Sequence, residues 1–159
     1  HSFFLRTVHG NGVMSTEFVD YEPVTGTLQS VRTGALVSSE EGVAITYGLN
    51  NAQGRGSTFV DPGTPVYEGM IVGIHPRDTD IVVNVCKEKK MSNVRSSTAD
   101  IAVRLTPPII MSLEESLDFV GTDELVEITP KTIRTRKRLL GESARRKFER
   151  DIAKAGNAR

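Results

Sequence analysis

The sequence predicts an α+β fold that is mainly β, built on a barrel-like or strongly bent antiparallel sheet. Short apolar runs alternate with turn residues from Gly34 to Val85, which is the pattern of many short strands at close spacing. A helix-capping signature begins at Ser112, and two runs of β-forming residues flank Pro130-Lys131. The predicted fold therefore includes a capped helix near 112–120 and a basic C-terminal hairpin and tail.

Strands are predicted in the first half of the chain from apolar runs that end at turn residues. Val13–Tyr21 is predicted to be a strand, and Glu22–Gly26 a linker. Asn50–Gly56 is polar and glycine-rich, which predicts a loop. The other strands predicted in this half are Ala35–Ser38, Val43–Tyr47, Ser57–Val60, Met70–His75 and Ile81–Val85.

The helix near 112–120 is predicted from its capping residues. Ser112 followed by Glu115 makes a capping box, in which each side chain accepts the backbone N–H of the other residue. Gly121 supplies a stop signal at the far end. One apolar face at helical spacing is formed by Leu113, Leu117 and Val120.

A β-hairpin and a basic tail are predicted after this helix. Leu125–Thr129 and Thr132–Leu139 form the two strands of the hairpin. Alternation along the second strand places three arginines on one face. Residues 141–159 form a basic tail that is predicted to be partly helical or disordered. The three arginines of the second strand are Arg134, Arg136 and Arg138.

Charge is distributed unevenly along a chain whose formal net charge is zero. Residues 1–84 carry a net charge of −5, residues 85–106 +3, residues 107–130 −6 and residues 131–159 +8. The two basic zones would attract a polyanion. The single cysteine and the absence of a signal-peptide pattern or a long apolar run predict a cytoplasmic protein that does not bind membranes.

The segment Cys86–Ala99 has no sustained periodicity, and loops of this length in compact domains are usually functional or disordered. Its lysines, its arginine and its small polar residues are suited to phosphate and sugar oxygens. Composition alone does not separate nucleic-acid contact from a solvated loop. The candidate RNA-binding residues are Lys87, Lys89, Lys90, Ser92, Asn93, Arg95, Ser96 and Ser97, and a secondary candidate set is Arg134, Arg136 and Arg138.

Catalytic, cofactor and metal sites are not predicted in this chain. It contains neither a phosphate-binding loop of the G-x-x-x-x-G-K-[ST] type nor a G-x-G-x-x-G motif. The acidic residues of 112–127 do not have the spacing of a calcium loop, and we interpret them as a solvated helix face with capping residues. The chain is therefore expected not to be an enzyme by itself.

Five segments, in order, resemble the C-terminal domain of the BipA/TypA family of translational GTPases. They begin with VYEG, continue through a lysine-rich N-x-R-[AS]-S loop and PP-x-x-M-S-LE, and end with DELVE-I-TP and IR-x-RK. In this chain they are Val66–Gly69, Asn84–Ser97, Pro107–Glu114, Asp123–Pro130 and Ile133–Lys137. Residues 5–24 also resemble the last helix, turn and strand of the fifth domain of elongation factor G, which this family shares.

The resemblance implies a division into the truncated end of an elongation factor G domain V-like α/β domain at 1–24, the family-specific C-terminal domain at 25–140, and the basic tail at 141–159. It implies a protein that binds the ribosome and acts in stress-responsive translation and in assembly of the large subunit. It also implies a GTPase domain outside this chain that binds GTP and Mg²⁺. It also implies that the loop Lys87–Ser97 contacts 23S ribosomal RNA near the A site and the acceptor end of transfer RNA. The chain itself is expected to be a monomer without a cofactor.

Two functions of other classes stay open. The chain could be a β-rich protein–protein adaptor that makes no direct RNA contact, with a basic tail that only keeps it in solution. It could also be a small hydrolase that uses the acidic segment 112–127. The salt dependence of RNA binding separates the first alternative from an RNA-binding module, and activity assays with divalent metal test the second.

Overall fold

The structure of the chain, a computed structural model, describes residues 11–23, 33–88 and 104–156, together with Phe4 and Val8. The chain divides into two compact units, His1–Arg32 and Thr33–Arg159. In the first unit, residues 11–23 contain no strand, and Val13, Phe18, Val19 and Tyr21 are exposed. The strand predicted at Val13–Tyr21 is therefore wrong, because this segment has no paired neighbour among the described residues and a strand needs one for its backbone hydrogen bonds.

The described part of the second unit contains eight strands and three helices. The strands are β1 (Ala35–Ser38), β2 (Gly42–Val43), β3 (Ser57–Thr58), β4 (Pro65–Val66), β5 (Met70–Ile74), β6 (Ile81–Val83), β7 (Glu124–Ile128) and β8 (Ile133–Lys137). The helices are α1 (Thr46–Gln53), α2 (Leu113–Phe119) and α3 (Glu142–Gly156). None of the described helices is both long and apolar enough to cross a bilayer.

The main sheet is open and mixed, which corrects the prediction of a barrel-like antiparallel sheet. Its strand order is β6-β1-β5-β8-β7, and β3 pairs with the end of β5; β2 and β4 form a separate pair. β1 and β6 are parallel, because the turn after β5 returns the chain to the start of β1. There Gly34 N–H donates to Arg77 O at 2.7 Å, and Asp80 Oδ1 accepts Ala35 N–H at 2.7 Å.

Apolar side chains cover both faces of this sheet. On one face Leu36 and Val72 pack with Leu49 and Ala52 of α1 in a fully buried cluster. On the other face Ala35, Val37 and Ile71 pack beneath Phe59 and Phe119, whose rings meet edge to face at 5.5 Å. The sheet is therefore the central layer, with α1 on one side and α2 on the other.

Helix α1 covers residues for which the sequence predicts the end of a strand and the start of a loop. Thr46 and Tyr47 belong to this helix and not to a strand, and the predicted loop at Asn50–Gly56 is helical as far as Gln53. The segment has poor intrinsic helix propensity, but its residues Gly48, Leu49 and Ala52 are buried. Tertiary packing of these residues therefore outweighs local preference.

Helix α2 confirms the predicted capping box and corrects the predicted apolar face. Ser112 Oγ accepts Glu115 N–H at 3.2 Å, and Glu115 Oε2 accepts Ser112 N–H at 2.9 Å. Leu117, however, is 56% exposed, while Ser116 is buried. The helix presents its Ser116 and Phe119 side to the sheet, because Phe119 supplies the larger ring for packing against Phe59.

Strands β7 and β8, on either side of Pro130-Lys131, pair antiparallel. Glu124 lies opposite Lys137, and Glu127 lies opposite Arg134. The acidic residues of β7 therefore offset part of the positive charge of β8. After β8 the chain turns at Gly141 and enters α3, a regular helix of 15 residues.

Candidate nucleic-acid interface

Of the primary RNA-binding residues predicted from the sequence, Lys87 is described and its side chain is exposed. Lys89, Lys90, Ser92, Asn93, Arg95, Ser96 and Ser97 lie outside the described residues. The structure does describe the residues on either side of this segment. Residues 87–105 are called the basic segment.

The N-terminal end of the basic segment is attached to the start of α1. Val85 is fully buried, and its carbonyl oxygen accepts Ile45 N–H at 3.0 Å. A Cβ at Gly48 would lie 2.2 Å from that same oxygen, so glycine is required for α1 to approach this closely. Asn84 Oδ1 then accepts Cys86 N–H at 2.9 Å, which directs the chain away from β6.

The C-terminal end of the basic segment is attached to the last residue of α1. Gln53 Nε2 donates to Thr106 O at 2.7 Å, and Gln53 Oε1 accepts Thr106 N–H at 2.9 Å. One primary amide thus pairs with both backbone groups of Thr106, much as a neighbouring strand would. Leu105 packs against the core beside it. Ile45 and Gln53 are eight residues apart, or about 12 Å along a helix axis, so one short helix holds both ends.

The structure separates the three arginines of the secondary candidate set. Arg134 and Arg136 are half-buried within β8, and Arg138 is exposed beyond its end. Arg138 lines a groove of about 1010 Å³ that also contains Arg55 and Arg146. The three side chains are therefore not one uniform basic face.

Tyr67 lies in the surroundings of Arg134 and Arg136. Its hydroxyl donates to Glu127 Oε2 at 2.7 Å. Burial and this hydrogen bond raise the pKa of Tyr67 to about 12, although the two guanidinium groups act in the opposite direction. Charge on this part of the sheet is therefore balanced by Glu127, which reduces the attraction of the two arginines for an external anion.

Lys137 occupies a site that the sequence analysis did not identify. Its side chain is only 4% exposed, and Nζ lies 2.7 Å from Asp123 Oδ2, 2.8 Å from Glu124 Oε1 and in contact with Asp80 Oδ2. Burial alone would lower the pKa of the Lys137 ammonium. The hydrogen bonds that the ammonium donates to Asp123, Asp80 and Glu124 outweigh burial, so the pKa of Lys137 lies above its usual value and the residue stays charged.

The three carboxylates around Lys137 also have the spacing of a cation site. Their nearest oxygens lie within 4.8 Å of one another, and the cation they bind in this structure is the lysine ammonium. Glu124 is itself buried, so it is not part of the solvated acidic face predicted for 112–127. A signal was present in the sequence: the alternation that places the arginines of β8 outward places Lys137 inward.

The segment Val66–Gly69 contacts both the core of the domain and the start of α3. Val66 is buried in the core, and Glu68 Oε1 accepts Glu142 N–H at 2.8 Å at the start of the helix. Gly69 has a φ of +83°, and a Cβ there would lie 2.7 Å from the Leu140 backbone. The entry to α3 is therefore packed against the turn that precedes β5.

Comparison with known proteins identifies the family of this chain. The TypA/BipA C-terminal domain matches residues 33–142. The chain belongs to the TypA/BipA family. Its relatives include the large ribosomal subunit assembly factor BipA of Synechocystis sp., 49% identical over 84% of this chain, and that of Bacillus subtilis, 46% identical over 96%. The factor of the same name from Salmonella typhimurium is 43% identical over 94%.

The chain spans 22% of the length of the Synechocystis relative and 25% of the other two. Several segments that resemble the TypA/BipA family have structural roles here. Val66–Gly69 packs against the entry to α3, Asp123–Pro130 supplies two carboxylates to Lys137, and Ile133–Lys137 supplies the lysine itself. The basic segment also belongs to a region that resembles the family, and the contacts described for it involve only its two ends.

Proposed function

We propose that this chain is a ribosome-binding part of a large-subunit assembly factor and that it contacts RNA directly. Family membership carries this proposal. Relatives that are 43–49% identical over 84–96% of the chain are named large ribosomal subunit assembly factor BipA. Because the similarity extends over nearly the whole chain, we assign the large ribosomal subunit as its partner.

The activity of the whole protein is a further part of this proposal, since the chain spans only about a quarter of its relatives' length. The resemblance implies a cytoplasmic GTPase that uses GTP and Mg²⁺ in a domain outside this chain and acts in stress-responsive translation. This chain would supply binding and orientation on the ribosome, and the GTPase domain would supply nucleotide hydrolysis.

The basic segment is the proposed contact with 23S ribosomal RNA near the A site and with the acceptor end of transfer RNA. Residues 85–106 carry a net charge of +3, and lysines bind phosphate without sequence preference. The attachment of Val85 and Thr106 to α1 supports this role.

The test compares charge-reversal variants in binding to purified large ribosomal subunits over a range of salt concentrations. Lys89→Glu with Lys90→Glu should weaken binding and flatten the log–log salt slope by about two. Arg77→Glu with Lys131→Glu is the matched control, because both residues are exposed and the change in net charge is the same. Each pair should change the free energy of unfolding by less than about 0.5 kcal/mol per site.

The rival site is tested by reversing Arg134, Arg136 and Arg138 together. Loss of binding in that variant, with normal binding of the Lys89 and Lys90 variant, would transfer the contact from the basic segment to β8. Failure of the unmodified chain to bind large subunits at any salt concentration would remove the proposal as a whole. Crosslinking to transfer RNA bound at the A site tests the acceptor-end contact separately.

A protein–protein adaptor remains the second candidate function because of one exposed apolar groove. The groove has a volume of about 940 Å³ and includes Ile109, Ile110, Ile128 and Ile133, of which Ile110 is 87% exposed. Apolar grooves of this kind often bind proteins. Binding to the subunit that is independent of salt, and lost in an Ile110→Asp variant, would favour this function over direct RNA contact.

A further inference from the structure

Helix α3 carries basic residues along one side of its axis. At 3.6 residues per turn, four basic residues fall within a sector of about 100° around the helix axis. All four side chains are exposed. The residues of this face, which we call the α3 basic face, are Arg146, Lys147, Arg150 and Lys154.

The opposite side of α3 carries two large apolar side chains. Phe148 and Ile152 lie about 150° and about 170° from the centre of the α3 basic face. Both line the groove that also includes Val37 and Val82 of the sheet. Both remain more than half exposed, at 52% and 56%, and Arg146 lines the same groove.

The charges of this face are largely free of internal partners. Arg146 forms an i,i+4 ion pair with Glu142, and Arg150 Nε donates to the Arg146 carbonyl oxygen at 3.1 Å. In the region that the structure describes, no carboxylate lies within ion-pair distance of Lys147, Arg150 or Lys154. These three cations are available to an external anion.

The helix is held at its N-terminal end. Glu68 accepts the Glu142 N–H, and Arg145 Nη1 donates to Leu139 O at 3.1 Å and also to Leu140 O. Close packing of Gly69 against Leu140 fixes the same turn. The start of α3 is therefore fixed to the domain, and three of the four cations, Arg146, Arg150 and Lys154, follow one another at intervals of four residues, about 6 Å between Cβ atoms.

We infer that the α3 basic face is a second RNA-binding element, which contacts the phosphate backbone of large-subunit ribosomal RNA. The inference rests on the proposed function for the identity of the RNA. A row of lysine and arginine side chains without aromatic residues complements phosphates and not bases. An anionic membrane, which a helix with exposed apolar residues such as Phe148 and Ile152 could also bind, is the less favoured partner because relatives of this chain are named large ribosomal subunit assembly factors.

The experiment uses the full 159-residue chain and purified large ribosomal subunits. Arg150→Glu with Lys154→Glu should weaken binding about tenfold at moderate salt and reduce the log–log salt slope by about two. The control is again Arg77→Glu with Lys131→Glu, which makes the same change in net charge at two exposed residues outside α3. Circular dichroism checks that the helix is retained, and Arg150→Gln with Lys154→Gln replaces the reversal if it is not.

Each outcome decides between the two proposals. Equal binding of the chain and the α3 variant would overturn the role of the α3 basic face and leave the proposed function standing. No binding by the unmodified chain would overturn both. Vesicles containing phosphatidylserine provide the last arm, in which we expect no binding. Capture by these vesicles that is lost in the α3 variant, while subunit binding is unchanged, would assign the face to a membrane and overturn the inference.

Discussion

Lys137 shows how one buried charge joins separate segments of the chain. Its ammonium binds Asp123 and Glu124 at β7 and Asp80 before β6. Asp80 in turn accepts the Ala35 N–H at the start of β1. A buried cation is costly unless it is fully paired, and three carboxylates meet that requirement. The charge of Lys137 therefore fixes the hairpin to the sheet and is not available to an external ligand.

Replacing Lys137 by methionine should destabilise the chain by about 3 kcal/mol. The change removes the cation and leaves Glu124 buried beside two other carboxylates, and breaking a buried pair from one side costs about 3–5 kcal/mol. We expect the lower end because Asp80 and Asp123 are partly exposed, at 36% and 54%, and can turn toward water. Urea denaturation of both proteins measures the difference.

The neighbouring substitution Arg138→Met is the control for this prediction. Arg138 is exposed, so its loss should change the free energy of unfolding by about 0.5 kcal/mol or less. Adding Glu124→Gln to Lys137→Met should recover part of the lost stability, because it removes the negative charge of the buried Glu124 carboxylate. Equal stability of the Lys137→Met variant and the unmodified chain would show that the ion cluster does not stabilise the fold.

At the scale of elements, α1 is stabilised by contacts with residues distant in sequence, whereas α2 is stabilised by hydrogen bonds between nearby residues. Helix α2 is short and has its own signal, the reciprocal hydrogen bonds of Ser112 and Glu115. Helix α1 has no side-chain cap and is held by contacts with Val85 and Thr106, distant in sequence. A local change should therefore affect α2 in a predictable way without disturbing the ends of the basic segment.

Ser112→Ala should lower the free energy of unfolding by about 1 kcal/mol through loss of the cap, with no change in binding to large subunits. Thermal denaturation and the subunit-binding assay measure the two effects. Ser143→Ala is the control, because Ser143 is exposed in the first turn of α3 and alanine has the higher helix propensity. Unchanged melting with weaker subunit binding would mean that Ser112 belongs to the interface.

Elements with local signals could be predicted from the sequence, and elements that depend on distant contacts could not. The cap at Ser112 and the pairing of β7 with β8 are encoded by nearby residues. The helical state of Thr46–Gln53 depends on burial of Leu49 and on contact between Gly48 and Val85. For the same reason the basic composition of residues 87–97 could be recognised, while the two attachments that hold its ends required the structure.

At the scale of the whole molecule, folding determines which charges of the uneven sequence distribution are paired and which remain exposed. The acidic zone 107–130 supplies Asp123, Glu124 and Glu127 to basic or polar groups of the sheet. Lys137 is neutralised in this way, while Lys87 and the α3 basic face remain exposed. The exposed positive charge of the described residues therefore includes Lys87 and the α3 basic face, whereas the charge of Lys137 is not available to a polyanion.

Alkaline pH should weaken the whole second unit, because two polar groups that join the hairpin to the rest of the sheet both have raised pKa values. The pKa of Tyr67 is about 12 in the fold against about 10 unfolded, and the pKa of Lys137 is also raised from about 10.4 unfolded. A group that keeps its proton longer in the folded state contributes stability below its unfolded pKa. That contribution is lost as pH rises through its folded pKa.

The stability that these two groups contribute should therefore be constant up to about pH 10 and begin to fall between about pH 10 and pH 12. Each group can contribute a slope of at most about 1.4 kcal/mol per pH unit, and Tyr67 should contribute less because it is partly exposed to solvent screening. Urea denaturation at intervals across this range measures the slope. Tyr67→Phe should make it shallower, whereas Tyr21→Phe, at a residue that is 89% exposed, should leave it unchanged. Identical slopes for the two variants would show that the hydrogen bond between Tyr67 and Glu127 does not couple the fold to pH.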